Sequence, residues 1–354
     1  MDVTFLLSFV DETVLSAIFG IITGAVFGVA AQRSSFCLRA ASVEFARGKL
    51  GDKVAVWLLT FSTALIWVQG ASLGGLFRVE EARMMAVTGS WSGAVIGGLL
   101  FGVGMVLARG CSGRLLVLAA TGNLRSLVAG LIFAIAAQMT LNGWLAPLRQ
   151  WLAALWTTKG GHNLNLISAF SMPKETGIVI GLALAALALG LSMRNKIGWK
   201  RLVFASGVGF SVALGWVLTF SLAQVAFDPV TVTSTTFSGP SANTLMFFLI
   251  ANPEINFDIG LVPGVFIGAF LSSIQNREFR FQGFDGESQM RRSLTGAVLM
   301  GFGAMLAGGC AIGAGVTGGS IFVGTAWLAL LCMWIGAAIT DALVDQPGIR
   351  RAAA

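Results

Sequence analysis

Three cysteines of this chain follow stretches rich in glycine or small residues, a setting in which a thiol could do chemistry. Cys111 ends the segment GGLLFGVGMVLARGC, Cys310 ends TGAVLMGFGAMLAGGC, and Cys37 ends AAQRSSFC. A thiol is a weak, soft and polarizable hydrogen-bond donor. It can therefore hold a sulfur-containing anion weakly enough to let it move on, whereas a lysine would bind the anion strongly and an aspartate would repel it.

The segments that end at Cys111 and Cys310 are two copies of one pattern, 199 residues apart (310 − 111 = 199). With the two cysteines superposed, the glycines coincide as well. The matched pairs are Gly97 with Gly296, Gly102 with Gly301, Gly104 with Gly303 and Gly110 with Gly309. A duplicated segment in an apolar chain indicates a pathway built between two related halves.

Each of these two cysteines is followed by an apolar piece, 113–120 or 311–318, that is too short to cross a bilayer. Such a piece predicts a half-helix whose first N–H groups and positive dipole end favour an anion. Glycines at this point allow a ligand to approach the backbone closely. The residues predicted to line the pathway are Gly110, Ser112, Gly113, Gly308, Gly309, Ala311 and Gly313.

Four polar or basic residues beside the cysteines are candidates for steering an anion. Gln32 and Arg33 precede Cys37, and Arg109 and Arg114 flank Cys111. Charged side chains at membrane depth are costly and usually functional. The alternative is that these arginines extend to the interface and only orient the chain in the bilayer.

The composition of the chain indicates that these candidate residues lie in a membrane protein. The 354 residues are 56% hydrophobic and 11% charged, with a mean hydropathy of +0.82. A soluble domain carries about a quarter of its residues as charges. The 46 glycines suit transmembrane helices that pack through small residues. We therefore predict an all-α integral membrane protein.

Nine apolar stretches are long enough to span the bilayer. They fall at 14–31, 54–70, 92–108, 125–142, 176–193, 202–220, 258–274, 293–309 and 321–340. With the N-terminus outside, inner loops and the C-terminal tail hold fifteen Lys and Arg against five in outer loops. This bias predicts a periplasmic N-terminus and a cytoplasmic C-terminus.

The spans before Cys111 and Cys310 are the third and the eighth, so they cross in opposite directions. This predicts one polytopic domain (1–354) with inverted repeats at roughly 14–142 and 176–340, forming an hourglass. The outer segment 228–257 is interpreted as a structured loop with a helix near 242–250, serving as a vestibule or as plain scaffold.

Other reactive side chains give weaker signals. Cys332 has no polar or glycine-rich setting, so we interpret it as a packing residue. No CxxC motif or Cys/His cluster is present and His162 is the single histidine, so neither a metal site nor a cofactor is expected.

Together, AAQRSSFC, VGMVLARGC and LMGFGAMLAGGCAIG resemble the YeeE/YedE family of bacterial inner-membrane sulfur transporters, the thiosulfate permeases. The resemblance implies nine spans with short helices, and thiosulfate uptake into the cytoplasm. It also implies passage along Cys37, Cys111 and Cys310 through S–H hydrogen bonds. A small soluble sulfur carrier of the TusA type is the implied partner at the inner face.

One departure from the family pattern leaves alternatives open. The family's first motif usually reads GGC, whereas this chain has Arg109-Gly110-Cys111, with Arg114 beyond. Two extra positive charges could select a different sulfur or selenium anion. A membrane sulfurtransferase that carries a cysteine persulfide is the other alternative, although no general base accompanies any cysteine in the sequence.

Overall fold

The computed structural model describes residues 4–251, 253–283 and 286–346. These residues are helical with no strands, which confirms the all-α prediction. The helices of the first half are α1 (Thr4–Leu7), α2 (Glu12–Ser34), α3 (Leu38–Ala46), α4 (Asp52–Leu73), α5 (Arg83–Ala86), α6 (Trp91–Leu107), α7 (Ser112–Ala120), α8 (Leu124–Leu141), α9 (Ala146–Ala154) and α10 (Leu166–Ala169).

The second half repeats this succession of long and short elements. Its helices are α11 (Thr176–Arg194), α12 (Trp199–Ala223), α13 (Ser238–Phe247), α14 (Phe257–Gln275), α15 (Glu287–Leu306) and α16 (Gly324–Thr340). A π-helical turn, Gly313–Gly318, lies between α15 and α16, where α7 lies between α6 and α8 in the first half. The predicted half-helices at 113–120 and 311–318 therefore correspond to α7 and to this turn.

Eight helical stretches of the described chain are long and apolar enough to cross a membrane. They are Glu12–Ala46, Asp52–Leu73, Trp91–Ala120, Leu124–Leu141, Thr176–Arg194, Trp199–Ala223, Phe257–Gln275 and Gly324–Asp345. Eight of the nine predicted spans overlap them. The remaining one, 293–309, lies in α15, whose first two turns carry Glu287, Arg291 and Arg292 and are therefore much less apolar.

Helix α15 nevertheless packs along two of these spans, α6 and α8. Its contact with α6 is reciprocal: a Cβ on Gly97 would lie 2.5 Å from the Gly303 carbonyl oxygen, and one on Gly104 would lie 2.5 Å from that of Gly296. Rising numbers on α6 meet falling numbers on α15, so the two helices are antiparallel. Only glycine allows backbones to approach this closely.

The long helices of the two halves also exchange partners. Helix α2 packs on α14 and α12 packs on α4, while α6 packs on α16 and α15 packs on α8. At an offset of about 199 residues, α2, α4, α6 and α8 correspond to α12, α14, α15 and α16. The contact of α2 with α14 therefore corresponds to that of α12 with α4, and the contact of α6 with α16 corresponds to that of α15 with α8. This exchange is the pattern expected of two copies related by a two-fold axis, and the inverted repeat itself stays a prediction.

An ion-pair network fixes the ends of α3, α15 and α16 together. Arg39 and Arg292 both contact Asp345, at 3.2 and 2.7 Å, and Arg47 contacts the fully buried Asp341 at 2.7 Å. These arginines were predicted as markers of the inner face. The structure adds that they hold α3, the helix that begins directly after Cys37.

Candidate functional site

Each of the three predicted cysteines begins a short helical segment. Cys37 is the N-cap of α3 and Cys111 is the N-cap of α7, both with extended backbone. Cys310 lies three residues before the π-helical turn, and its Sγ accepts the backbone N–H of Gly313 at 3.4 Å. The sulfur is thus directed at the open N–H groups of a short helical segment, as expected for a residue at a helix start.

The fold brings the three cysteines together, and we call them the thiol cluster. The thiols of Cys37 and Cys111 are direct neighbours, and Cys310 lies close enough to Cys111 to interact with it electrostatically. Cys111 and Cys310 are fully buried, whereas Cys37 is partly exposed. Residues 273 positions apart in sequence (310 − 37 = 273) are therefore brought into one region of the fold.

Two residues that the sequence did not single out complete the surroundings of Cys310. The Phe237 N–H donates to Cys310 Sγ at 3.4 Å, and Thr236 Oγ1 lies 4.0 Å from the same sulfur. Phe237 is the N-cap of α13, 200 residues after Cys37 (237 − 37 = 200). The helix predicted near 242–250 thus begins earlier, at Ser238, and brings its first residues to the cysteine.

Arg114 and Ser112 lie at the start of α7 beside the cysteines. Arg114 is close enough to Cys37 to act on its thiol electrostatically. Its Nη1 atom and the Ser112 hydroxyl are buried and have no hydrogen-bond partner among the described residues. A positive group and a hydroxyl are therefore available at the cluster, and an anion would satisfy both.

Arg109 occupies a different environment from Arg114. Its side chain is exposed, and Nη1 donates to Gln289 Oε1 at 3.2 Å. Its backbone has φ 58°, and the matching Gly308 has φ 77° and is equally exposed. Both residues follow the last turn of a long helix in the left-handed conformation that glycine usually supplies. Arg109 is therefore a cation at the end of α6, outside the thiol cluster.

Gln32 and Arg33 are engaged in contacts with α14 and the loop after it. Gln32 Nε2 donates to Glu278 Oε2 at 2.9 Å, and Arg33 Nε donates to Ser272 Oγ at 3.1 Å. Arg33 also lies over the ring of Phe204, 5.0 Å from its centroid. These contacts do not test whether Gln32 and Arg33 steer an anion, so that role stays a prediction.

The glycines predicted to line the pathway lie beside the cysteines, except Gly308. Gly110, Gly113, Gly309 and Gly313 are buried, as are Ser112 and Ala311. A Cβ on Gly309 would lie 2.7 Å from the Ala314 backbone nitrogen, so the turn after Cys310 closes tightly. Exposed Gly308 instead borders the cavity described next.

A cavity of about 300 Å³ leads from one face of the protein to Thr236, the neighbour of Cys310. Arg83 and Arg149 lie in its wall, and none of its described lining residues is acidic. We call it the basic cavity. Its hydroxyl and amide groups come from Thr88, Ser90, Asn163, Thr233, Ser234, Thr236, Ser238, Thr317 and Thr325.

A second cavity, of about 580 Å³, adjoins the first at Arg83 and Thr233. Its wall contains four carboxylates, and we call it the acidic cavity. They belong to Glu12, Asp228, Glu254 and Asp258. Repulsion from these groups disfavours an anion there, so of the two cavities the basic one suits a small anion better.

Cys332 is separate from the cluster. It is buried in α16 against α6, where a Cβ on Gly98 would lie 2.8 Å from the Cys332 Cβ. This position agrees with a packing role. No group of three His, Cys, Asp or Glu side chains within the described residues is placed to hold a metal ion.

Membrane-spanning helices, clustered thiols and a basic cavity that ends beside one of these thiols are features of a membrane transport protein. The relatives reported below support a transport role rather than an enzymatic one. The chain belongs to the sulphur transport family, whose model matches residues 33–339. This confirms the resemblance inferred from the cysteine motifs.

Two curated relatives are similar over most of their length. One, named thiosulfate transporter TsuA of Escherichia coli (strain K12), is 27% identical over 338 residues, covering 90% of this chain and 91% of the relative. The other, named thiosulfate transporter TsuA of Spirochaeta thermophila, is 26% identical over 337 residues, covering 90% of this chain and 96% of the relative.

Proposed function

We propose that this protein is an inner-membrane permease that takes up thiosulfate, or a closely related small sulfur anion, through the basic cavity and the thiol cluster. The observation that carries the proposal is the end of the basic cavity at Thr236, which lies 4.0 Å from Cys310. The names of the two relatives supply the substrate.

The chemistry of each step is a weak hydrogen bond that is made and then released. Cys310 Sγ accepts two backbone N–H groups, from Phe237 and Gly313, so its own S–H is left to donate to the anion. Cys111 and Cys37 then offer the next two donors. Because a thiol hydrogen bond is weak, none of these three thiols traps the ion by itself.

Arg114 provides the positive charge on this route. Thiosulfate carries two negative charges, and removing them from water is costly unless they are paired. The Arg114 guanidinium lies near Cys37, and one of its buried nitrogens has no partner among the described residues. It therefore lowers the cost of bringing the anion to the Cys37–Cys111 pair.

In the proposed orientation the basic cavity faces the periplasm and Cys37 is nearer the cytoplasm. The arginines that surround the end of α16 follow the positive-inside rule for that orientation. The antiparallel α6 and α15 support two inverted halves, at roughly 14–142 and 176–340. A TusA-like sulfur carrier is the proposed partner for the released anion at the inner face.

The sulfurtransferase alternative requires a base to deprotonate an attacking cysteine. Among the described residues near the cluster, the ionisable group other than the thiols is Arg114, which is a cation and not a base. A persulfide trapped on Cys37 by mass spectrometry during turnover would favour this alternative over simple passage of the anion.

The test is uptake of radiolabelled thiosulfate by cells that lack their own sulfate and thiosulfate importers. We expect uptake with the wild-type protein and its loss in Cys310→Ala and Cys111→Ala. Cys332→Ala is the matched control, because this buried cysteine lies outside the cluster, and it should transport normally. Wild-type uptake by Cys310→Ala, at equal membrane expression, would contradict the thiol route.

A further inference from the structure

The two halves of the molecule differ in side-chain size at the point where they meet. In the alignment that superposes Cys111 on Cys310, Gly113 corresponds to Ile312 (312 − 113 = 199). At the start of the preceding short helix, Cys37 corresponds to Phe237. The second half therefore has two large apolar side chains where the first half has a glycine and a thiol.

These two side chains converge on the glycine beside Cys111. A Cβ on Gly113 would lie 2.5 Å from Ile312 Cδ1 and 3.1 Å from Phe237 Cδ2. Both side chains thus occupy the space beside the first turn of α7. Phe237 is 0% exposed and Ile312 is 1% exposed. The backbone of Phe237 contacts Cys310 on the other side, at 3.4 Å.

The open space that begins at the basic cavity ends before this point. Thr236 and Ser238 belong to the cavity wall, whereas Phe237, between them in sequence, is fully buried. An anion that reaches Cys310 therefore meets a dry, apolar layer before Cys111. A hydrophobic constriction excludes water and ions until its side chains move.

We propose that Phe237 and Ile312 form an apolar gate between Cys310 and the Cys37–Cys111 pair. This inference rests on the proposed function for its substrate, a small anion. In this proposal, two residues of the second half control the passage of the anion. The thiols bind the anion but do not block its path.

The contacts indicate which of the two side chains moves. The Phe237 ring packs against the Phe27 ring, with centroids 4.9 Å apart, and its N–H is bonded to Cys310. Ile312 presents the flexible end of its side chain, Cδ1, toward Gly113. It also lies directly before the π-helical turn, an element frequent at functional sites. Ile312 is therefore the moving part and Phe237 the fixed wall.

The same geometry couples arrival of the anion to opening. Cys310 Sγ accepts hydrogen bonds from the backbone N–H groups of Phe237 and Gly313, and Gly313 directly follows Ile312 in the chain. A charged oxygen is a stronger acceptor than a thiol sulfur. An anion at Cys310 competes for these N–H groups and so acts directly on the backbone of both gate residues.

The experiment measures whether a reagent can pass the gate, independently of transport. The background variant carries Cys37→Ser, Cys310→Ser and Cys332→Ala, so that Cys111 is the single remaining thiol. Intact cells are treated with sulfonatoethyl methanethiosulfonate, a membrane-impermeant anion that modifies thiols. Modification of Cys111 is followed by mass spectrometry, with and without Ile312→Ala or Phe237→Ala.

We expect Cys111 to be protected in the background variant and modified about ten times faster in Ile312→Ala, the change that a modest lowering of a barrier gives. Phe237→Ala should also increase the rate. The matched control is Phe133→Ala on α8, which deletes a buried ring outside the gate. It should leave Cys111 protected. Thermal unfolding of each purified variant verifies the fold.

Equal modification of Cys111 in the background variant and in Ile312→Ala would overturn the gate, as would the absence of modification in both folded gate variants. Failure of the gate and failure of the proposed function are distinguishable. Wild type that takes up no thiosulfate refutes the substrate, while faster modification of Cys111 in Ile312→Ala still supports the gate.

A steric rescue provides an independent test in the otherwise wild-type protein. The methyl group in Gly113→Ala presses on Ile312 and Phe237 and should reduce thiosulfate uptake severalfold. Adding Ile312→Ala removes the side chain that the methyl group meets and should restore uptake. If the double variant transports no better than Gly113→Ala, the three residues do not act as one gate.

Discussion

Cys111 and Cys310 occupy equivalent places in the two glycine–cysteine segments, and a neighbouring short helix of the same half adds a residue to each. Cys111 has the Cys37 thiol as a neighbour, and the Arg114 guanidinium acts on Cys37. Cys310 has the backbone N–H of Phe237 and the Thr236 hydroxyl as neighbours. One backbone arrangement thus supports a thiol pair beside a cation in the first half, and in the second half a single thiol whose neighbours are backbone N–H groups and a hydroxyl.

Duplication therefore accounts for the backbone geometry that the two segments share, and individual side chains account for the different surroundings of their cysteines. A symmetric pair of sites would hold an anion equally well on both sides. Here a cation lies beside the Cys37–Cys111 pair, and the proposed apolar gate lies on the Cys310 side. We therefore expect the two sides to differ in affinity for an anion, with the proposed route leading from Cys310 to the thiol pair beside the cation.

The largest effect on this comparison should come from removing the charge. Arg114→Gln deletes the cation beside Cys37, and we expect uptake to fall by about tenfold or more, since a hydrogen bond to a charged group contributes about 1.5–3 kcal/mol. The measurement is the initial rate of thiosulfate uptake against concentration. Arg114→Lys should retain part of the activity.

Arg109→Gln is the matched control for that variant. Arg109 is also an arginine next to the Cys111 motif, but its side chain is exposed and contacts Gln289. We expect its uptake to differ little from that of wild type. If Arg109→Gln impairs uptake as much as Arg114→Gln, the charge that matters is not at the thiol pair.

An intermediate effect is expected from changes in the basic cavity, which lies on the Cys310 side of the molecule. Arg83→Gln combined with Arg149→Gln should raise the half-saturating thiosulfate concentration about threefold, with the maximal rate nearly unchanged, because the two charges attract the anion before it reaches the thiols. The wild-type value should rise with added salt, since exposed charges are screened, and the double variant should respond less.

Arg78→Gln is the control for the cavity, because Arg78 lies in the same loop region and pairs with Glu81 at 3.3 Å. It removes a positive charge from this face without altering the cavity wall. An equal loss of apparent affinity in Arg78→Gln would indicate a general surface effect.

The smallest effect concerns stability at the two helix ends. Arg109 adopts φ 58° where the second copy has Gly308 at φ 77°. A left-handed conformation costs a non-glycine residue about 1–2 kcal/mol, partly offset by the greater freedom of glycine in the unfolded chain. Arg109→Gly should therefore stabilise the protein by about 0.5–1 kcal/mol.

The reciprocal change, Gly308→Ala, should destabilise by a similar amount, and thermal unfolding in detergent measures both. Gly308 borders the basic cavity, and a Cβ on it would have no neighbour within 4 Å among the described residues. A loss of stability there therefore reports the backbone conformation and not a clash. Unchanged unfolding temperatures in both variants would contradict this explanation.

Much of this architecture was predictable because its signals are local. Apolar stretches of sufficient length predicted eight spans that the structure describes, since the bilayer imposes a length and a polarity on each crossing helix. The spacing of Gly97 and Gly104 against Gly296 and Gly303 anticipated the duplication, because close helix contacts require glycine at fixed intervals. The cysteines were recognisable from the same motifs.

The composition of the site was predictable only in part. Cys37, Cys111 and Cys310 were singled out, but Thr236 and Phe237 were not, because residues 229–253 contain neither a cysteine nor a charged residue. A signal for Phe237 existed in its offset of 200 residues from Cys37 (237 − 37 = 200), close to the 199 of the main repeat. This correspondence becomes recognisable only when the first residues of α3 and α13 are known.

The class of protein, the spans, the duplicated motif and the identity of the thiols follow from the amino-acid sequence alone. These depend on hydrophobicity, residue size and local backbone preference, which each segment carries alone. The folded molecule, in contrast, places Arg114 beside the thiols and Arg109 away from them, ends the basic cavity at Thr236 next to Cys310, and brings Phe237 and Ile312 together at Gly113. Those facts depend on contacts between segments far apart in the chain, which no single segment encodes.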